Sequence, residues 1–124
     1  ECGLEGSVYL VGHQDNPYSW IARADAFVLS SFYEGFPNVL LEALACKTNL
    51  ISTPAPGGTK EIIEQVPGCF LAQAVSPQAL AEAIERFVRT SSMEIREDAI
   101  EPYKVEKIVQ EYQDTFLEFQ ASGG

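Results

Sequence analysis

A chain of 124 residues, 46% of them apolar, is sized for one domain and has the material for a core. Eight Lys and Arg against 18 Asp and Glu leave a formal charge of −10, which argues against a basic nucleic-acid-binding surface. No apolar run approaches the roughly 18 residues of a membrane span, and three widely spaced cysteines (Cys2, Cys46, Cys69) with one histidine suggest free thiols rather than a zinc set or a disulfide framework.

The opening ECGLEGSVYLVG lacks a Met, a basic n-region and a signal h-region, and reads as a cut into a longer chain with the cytosol as the default compartment. Residues 8–11 (VYLV) form a short apolar run before Gly12, expected to be a first strand. HQDNP is a turn, and Pro17 can open a helix through Arg23. DAFVLSS, residues 25–31, is a continuous apolar run of the kind buried on both faces of a parallel sheet. A helix follows over residues 37–46, with Pro37 in the first turn, and NLIST at 49–53 is the next strand.

PAPGG at 54–58 breaks regular structure, and Thr59 can cap a helix holding Glu61 and Glu64. CFLA at 69–72 is a fourth strand. Ser76-Pro77 caps a helix over 77–89 with Leu80, Ala83, Ile84, Phe87 and Val88 on one stripe. Residues 92–100 can form a short helix before Pro102. A last helix runs from 105 to about 120, its Phe116 and Phe119 read as core, and ASGG is a frayed end. The acidic excess is heaviest after Met93, as expected of a solvated helical face.

Strands alternating with helices at this spacing imply right-handed βαβ units in a parallel sheet. The expected fold is α/β: a Rossmann-like parallel sheet with flanking helices. It is partial, because four strands fall short of the six of a complete doubly wound domain. The first strands are the missing ones. Its unpaired edge and uncovered helix faces are expected to favour self-association.

Two carboxylates stand in the apolar stretch FYEGFPNVLLEALA. On one helix, eight residues would offset Glu34 and Glu42 by about 80°, too far to stack. Gly35 and Pro37 instead place Glu34 in the loop at a strand's C-terminal end and Glu42 in the second helical turn. That loop is where open α/β sheets bind ligands. The Asn38, Val39 and Leu40 amides open the helix and, with its dipole, suit a phosphate. A nucleotide sugar, with a diphosphate between two hydroxyl-bearing sugars, matches that layout.

SSFYEGFPNVLLEALAC followed by GGTKEIIE resembles the signature of the retaining glycosyltransferases of GT-B fold, family 4 (group 1) and its relatives. ADAFVLSS and GCFLAQAVSPQALAEAIERFV resemble the flanking family segments, so the likeness covers about residues 8–89. The resemblance implies that residues 1–124 are one truncated nucleotide-sugar-binding domain, the C-terminal donor half. Glu34 would stand at the catalytic centre against the donor sugar, although neither glutamate is assigned as a base. Gly35, Phe36, Pro37 and Asn38 would line the sugar site, Val39 and Leu40 amides would take the diphosphate, and Glu42 would hold the ribose hydroxyls. The donor would be a UDP-, GDP- or ADP-sugar, with no other cofactor and no metal. The acceptor, a glycan or lipid-linked molecule, would need an N-terminal domain that is missing here, so this chain alone is expected to be inactive. Such an enzyme would be cytoplasmic or at the membrane's inner face. The alternative is a non-catalytic module, descended from such an enzyme, that binds nucleotide sugar or protein.

Gly57-Gly58 suits a loop needing positive φ, or a close backbone approach to the donor. His13 is read as having no role, Glu61 as a capping residue, and Tyr18 and Trp20 as core or rim. Where relatives carry CG-x-P after the helix, this chain has Cys46-Lys47-Thr48-Asn49, which forfeits the easy left-handed C-cap. The basic residue that relatives use for the diphosphate would lie upstream of Glu1 and is missing.

Overall fold

A computed structural model describes residues 3–90 and 93–121. In chain order the elements are α1 (Tyr18–Ile21), β1 (Ala26–Leu29), α2 (Asn38–Ala45), β2 (Asn49–Ser52) and α3 (Thr59–Glu64). Then come β3 (Phe70–Leu71), α4 (Pro77–Arg89), a 3₁₀ helix (Glu97–Tyr103) and α5 (Val105–Ala121). The three strands form a parallel sheet in the order β1-β2-β3, the Rossmann-like α/β arrangement expected.

The core is organised by β2, whose four residues are all buried. Because side chains alternate along a strand, Leu50 enters a cluster with Leu40, Leu44, Ile62 and Ile63 on one face. Ile51 enters a second cluster with Ala79, Ala83 and Phe87 on the other. Two buried faces explain why this run is apolar without alternation. β1 was expected to be equally enclosed, and it is not. Val28, in register with Ile51, is 42% exposed, because α4 packs on β2 and β3.

The expected first strand also does not form. Residues 8–11 have no ladder partner among the described residues, and Leu10 is 98% exposed. In the common doubly wound order 3-2-1-4-5-6, the strand that precedes strand 4 in sequence lies beyond strands 1 and 2. The order β1-β2-β3 is the one strands 4, 5 and 6 have in that arrangement. Among the described residues, residues 8–11 find no strand to pair with.

Helix boundaries follow local chemistry. α1 stops at Ile21 because Arg23 and Ala24 turn tightly, their amides donating to Trp20 and Ile21 carbonyls at 3.2 and 3.0 Å. Ser76 caps α4 as expected, its Oγ accepting from the Ala79 amide at 3.2 Å, with Pro77 at the first position. The buried stripe of α4 is Ala79, Ala83 and Phe87, while Val88 is 74% exposed, so the expected stripe is rotated by one residue. The expected helix at 92–100 is instead the 3₁₀ helix at 97–103, which accommodates Pro102; Ser92 lies outside the described residues, as do Cys2 and the last three residues of ASGG. α5 has no buried residue, and Phe116 and Phe119 are 66% and 65% exposed, against their reading as core. Its packing is with the 3₁₀ helix rather than with the sheet. Its apolar residues mark a helix with one face, but periodicity does not say what that face meets.

The departure at Lys47 is absorbed by the backbone. Lys47 adopts φ +61, its amide donates to Leu44 O at 2.9 Å, and the Thr48 amide donates to Ala43 O at 3.0 Å. That pair of bonds is the Schellman motif, formed with a lysine where glycine is usual. Lys47 Nζ also meets Glu97 Oε1 at 2.6 Å, joining the end of α2 to the 3₁₀ helix. The shared hydrogen bond raises the pKa of Lys47 and lowers that of Glu97. Left-handed backbone costs an L-residue roughly 1–2 kcal/mol, more than an exposed ion pair usually returns. Lys47→Gly is therefore expected to raise the thermal midpoint by about 2–4 °C, measured by circular dichroism; a fall would show that the ion pair outweighs the backbone strain.

Candidate functional site

All three strands run the same way, and Leu29 pairs with Ser52 and Ser52 with Leu71. Their C-terminal ends therefore lie side by side, and the loops at 30–37, 53–58 and 72–76 gather at one edge of the sheet. Ser30, Phe32, Thr53, Val75, Ser76 and Leu80 line a cavity of about 250 Å³ there.

The first loop carries Glu34, which is half-buried, then exposed Gly35 and Phe36, and buried Pro37. Glu42, also half-buried, follows in the second turn of α2. Loop and helix thus hold the two carboxylates as the spacing requires. The start of α2 is tighter than expected. The Asn38 amide donates to Phe36 O and the Leu40 amide to Pro37 O, both at 2.9 Å. The Val39 amide has no acceptor among the described residues. Of three amides expected to be open to an anion, Val39 is the one left without an internal partner.

What holds Glu34 in place comes from the neighbouring loop. Its amide donates to Pro56 O at 3.1 Å. The Thr53 hydroxyl donates to Ser31 O at 2.5 Å, and the Ser31 hydroxyl donates to Glu34 Oε1. The Thr53 amide donates to Leu29 O at 3.1 Å, extending the β1–β2 ladder by one step. Ser31 and Thr53 were missed by reading the sequence for carboxylates. The signal available was a hydroxyl three residues before Glu34 and another at the end of the next strand.

Gly57 and Gly58 have φ of +115° and +99°, as a glycine loop should. Their close approach is to protein. A Cβ on Gly57 would lie 2.1 Å from Glu34 O and 2.3 Å from Gly35 O. One on Gly58 would lie 3.2 Å from the Phe36 ring. The pair lets loop 53–58 seat directly on the backbone of loop 30–37.

Gly58, not Thr59, is the N-cap of α3. Thr59 is fully buried, and its Oγ1 finds no hydrogen-bond partner among the described residues. Glu61 is exposed in the first turn of α3, where it complements the helix dipole. Tyr18, Trp20 and Phe36 are 48%, 56% and 53% exposed, so they are rim, not core. His13 is exposed and lies 3.9 Å from Asp15. Cys46 and Cys69 are free thiols, and burial pushes the Cys69 thiol up to about 11, which keeps it unreactive. No group of three or more His, Cys, Asp or Glu among the described residues is placed to hold a metal ion. None of the described helices is long and apolar enough to cross a membrane.

The profile of the family "Glycosyl transferases group 1" matches residues 1–90. This chain belongs to the group 1 glycosyltransferases. It is 31% identical over 121 residues, 93% of its length, to N-acetyl-alpha-D-glucosaminyl L-malate synthase of Bacillus anthracis, and covers 32% of that protein. It is 40% identical over 62 residues, half of its length, to N-acetylgalactosamine-N,N'-diacetylbacillosaminyl-diphospho-undecaprenol 4-alpha-N-acetylgalactosaminyltransferase of Campylobacter jejuni, covering 17% of it. It is 30% identical over 87 residues, 70% of its length, to the capsular polysaccharide biosynthesis glycosyltransferase CapM of Staphylococcus aureus, covering 23% of it. The chain thus spans between about a sixth and a third of the length of these glycosyltransferases.

Gly57→Ala should lower unfolding stability by about 2–4 kcal/mol, from backbone strain plus overlap with two carbonyl oxygens. Gly6→Ala, also at positive φ but with nothing within 4 Å, is the control for strain alone. Urea denaturation of both variants measures the difference; equal losses would mean that the two loops are not in contact.

Proposed function

We propose that this glycosyltransferase chain is the donor-binding part of a GT-B enzyme that transfers a sugar, with retention, from a nucleotide-diphosphate sugar to a glycan or lipid-linked acceptor. One observation carries the reading. Two half-buried carboxylates stand on either side in the chain of Val39, whose amide has no acceptor among the described residues, where a helix begins at the C-terminal edge of a parallel sheet. A UDP-, GDP- or ADP-sugar laid across this turn would set its diphosphate on the amide and helix dipole. Its ribose hydroxyls would meet Glu42, and its sugar hydroxyls Glu34, with Gly35, Phe36, Pro37 and Asn38 lining the sugar end. Because Leu40's amide is already engaged, its share of the diphosphate would need the first turn to loosen.

The reaction breaks the bond between the anomeric carbon and the diphosphate and makes one to an acceptor oxygen. This chain's contribution is to position the donor and to stabilise the departing diphosphate with a fixed dipole. Glu34 would stand at the catalytic centre by contact with the sugar, without being assigned as a base. The donor carries its own leaving group, so the reading calls for no further cofactor. The acceptor would be bound by an N-terminal domain of a longer enzyme, and residues 1–124 alone would bind donor without turning it over. Such an enzyme would act in the cytoplasm, at the inner face of the membrane when the acceptor is lipid-linked.

Titrating the 124-residue chain with UDP-, GDP- and ADP-sugars, followed by amide NMR shifts, tests this. The amides of Glu34 to Glu42 should move with at least one donor, and Glu42→Ala should weaken that binding about tenfold through loss of a charged hydrogen-bond acceptor. No shift at millimolar concentrations of any donor would overturn the reading.

A further inference from the structure

Resting on the donor reading, we infer that Ser31 is a positioning residue: with its backbone carbonyl held by the Thr53 hydroxyl just past β2, its own hydroxyl aims the Glu34 carboxylate at the sugar end of the ligand.

A glutamate in a loop has three rotatable side-chain bonds, and most of its rotamers point away from any one ligand. Here two contacts remove that freedom. The Glu34 amide is fixed by Pro56 O at 3.1 Å, which sets the backbone. The Ser31 hydroxyl donates to Oε1, which sets the carboxylate. An ionised carboxylate has about four acceptor positions, so one donated bond leaves Oε2 and part of Oε1 to receive ligand hydroxyls. Ser31 is itself constrained. The Thr53 hydroxyl donates to its carbonyl at 2.5 Å, and Thr53 is tied to β1 through its amide and Leu29 O at 3.1 Å. The relay Thr53–Ser31–Glu34 thus runs from the rigid sheet out to the loop. Thr53 is 3% exposed, whereas Glu34 remains half-buried and open to a ligand. Support of this kind, graded from a buried anchor to an accessible carboxylate, is what a preorganised binding group needs.

The sugar increment in affinity reads this role. Isothermal titration of the 124-residue chain would compare UDP with UDP-glucose, GDP with GDP-mannose and ADP with ADP-glucose. In the pair that binds wild type, the sugar-bearing ligand should bind more tightly than its diphosphate. Ser31→Ala should erase most of that increment, weakening the nucleotide sugar roughly tenfold with the diphosphate alone little changed. Ser31→Thr keeps the hydroxyl and should recover the increment. Thr53→Val, one step back in the relay, should lose part of it. Equal weakening of both ligands by Ser31→Ala, or no weakening of either, leaves the donor reading standing and overturns the role of Ser31. Failure of every nucleotide and nucleotide sugar to bind the wild-type chain would overturn the donor reading and this inference together.

Discussion

Two loops meet backbone to backbone at the edge of this sheet, and the contact is possible because Gly57 has no side chain. Its missing Cβ would fall 2.1 Å from one carbonyl oxygen and 2.3 Å from another, inside any tolerable contact. The positive φ of Gly57 and Gly58 turns the second loop onto the first. With that contact made, Pro56 O reaches the Glu34 amide, the Phe36 ring lies beside Gly58, and Pro37 is buried at the mouth of α2. The position of one carboxylate and the start of one helix therefore depend on a glycine some twenty residues away. Both glycines have the positive φ expected of them, and the close approach seen is to protein backbone and the Phe36 ring.

The sheet supplies the rigidity on which that contact rests. β2 is buried on both faces, Leu50 against α2 and α3 and Ile51 against α4. The strand feeding the glycine loop is thus the most enclosed element of the fold. Side-chain hydrogen bonds reinforce it at both ends. Thr48 Oγ1 donates to Ile21 O at 2.8 Å, and Asn49 Nδ2 donates to Gly68 O and Met93 O, each at 2.9 Å. At the other end the Ser52 hydroxyl lies within donor distance of Leu29 O and Thr53 O, at 3.1 and 2.9 Å. A site on loops gains definition from such a base. By contrast α5 and residues 8–11 carry large apolar side chains in the open and bear little on the site.

What could be read in the sequence was what depends on near neighbours in the chain. The Ser76 cap, the helix after Gly-Phe-Pro, the doubly buried run at 49–52 and the separation of Glu34 from Glu42 are all local patterns, and the structure has them. The failures concern contacts between segments far apart in the chain. VYLV has strand chemistry, but a strand exists only with a neighbour, and none of the described strands pairs with it. Phe116 and Phe119 have core chemistry, but α5 meets the 3₁₀ helix and not the sheet. Lys47 shows the reverse: a residue poorly suited to left-handed backbone adopts it because both Schellman bonds form. Ser31 and Thr53 were illegible because hydroxyls are common at strand ends and only the fold shows which carboxylate they face.

The most direct measurement is a crystal structure of the chain with a bound nucleoside diphosphate sugar from the class that binds. The account predicts that the diphosphate lies at the start of α2 within hydrogen-bond distance of the Val39 amide. Ribose hydroxyls should be on Glu42, and sugar hydroxyls on the Glu34 carboxylate while Ser31 still donates to it. Ligand seated elsewhere, such as in the cleft lined by Lys47 and Asp98 at the 3₁₀ helix, with the α2 turn unoccupied, would contradict it.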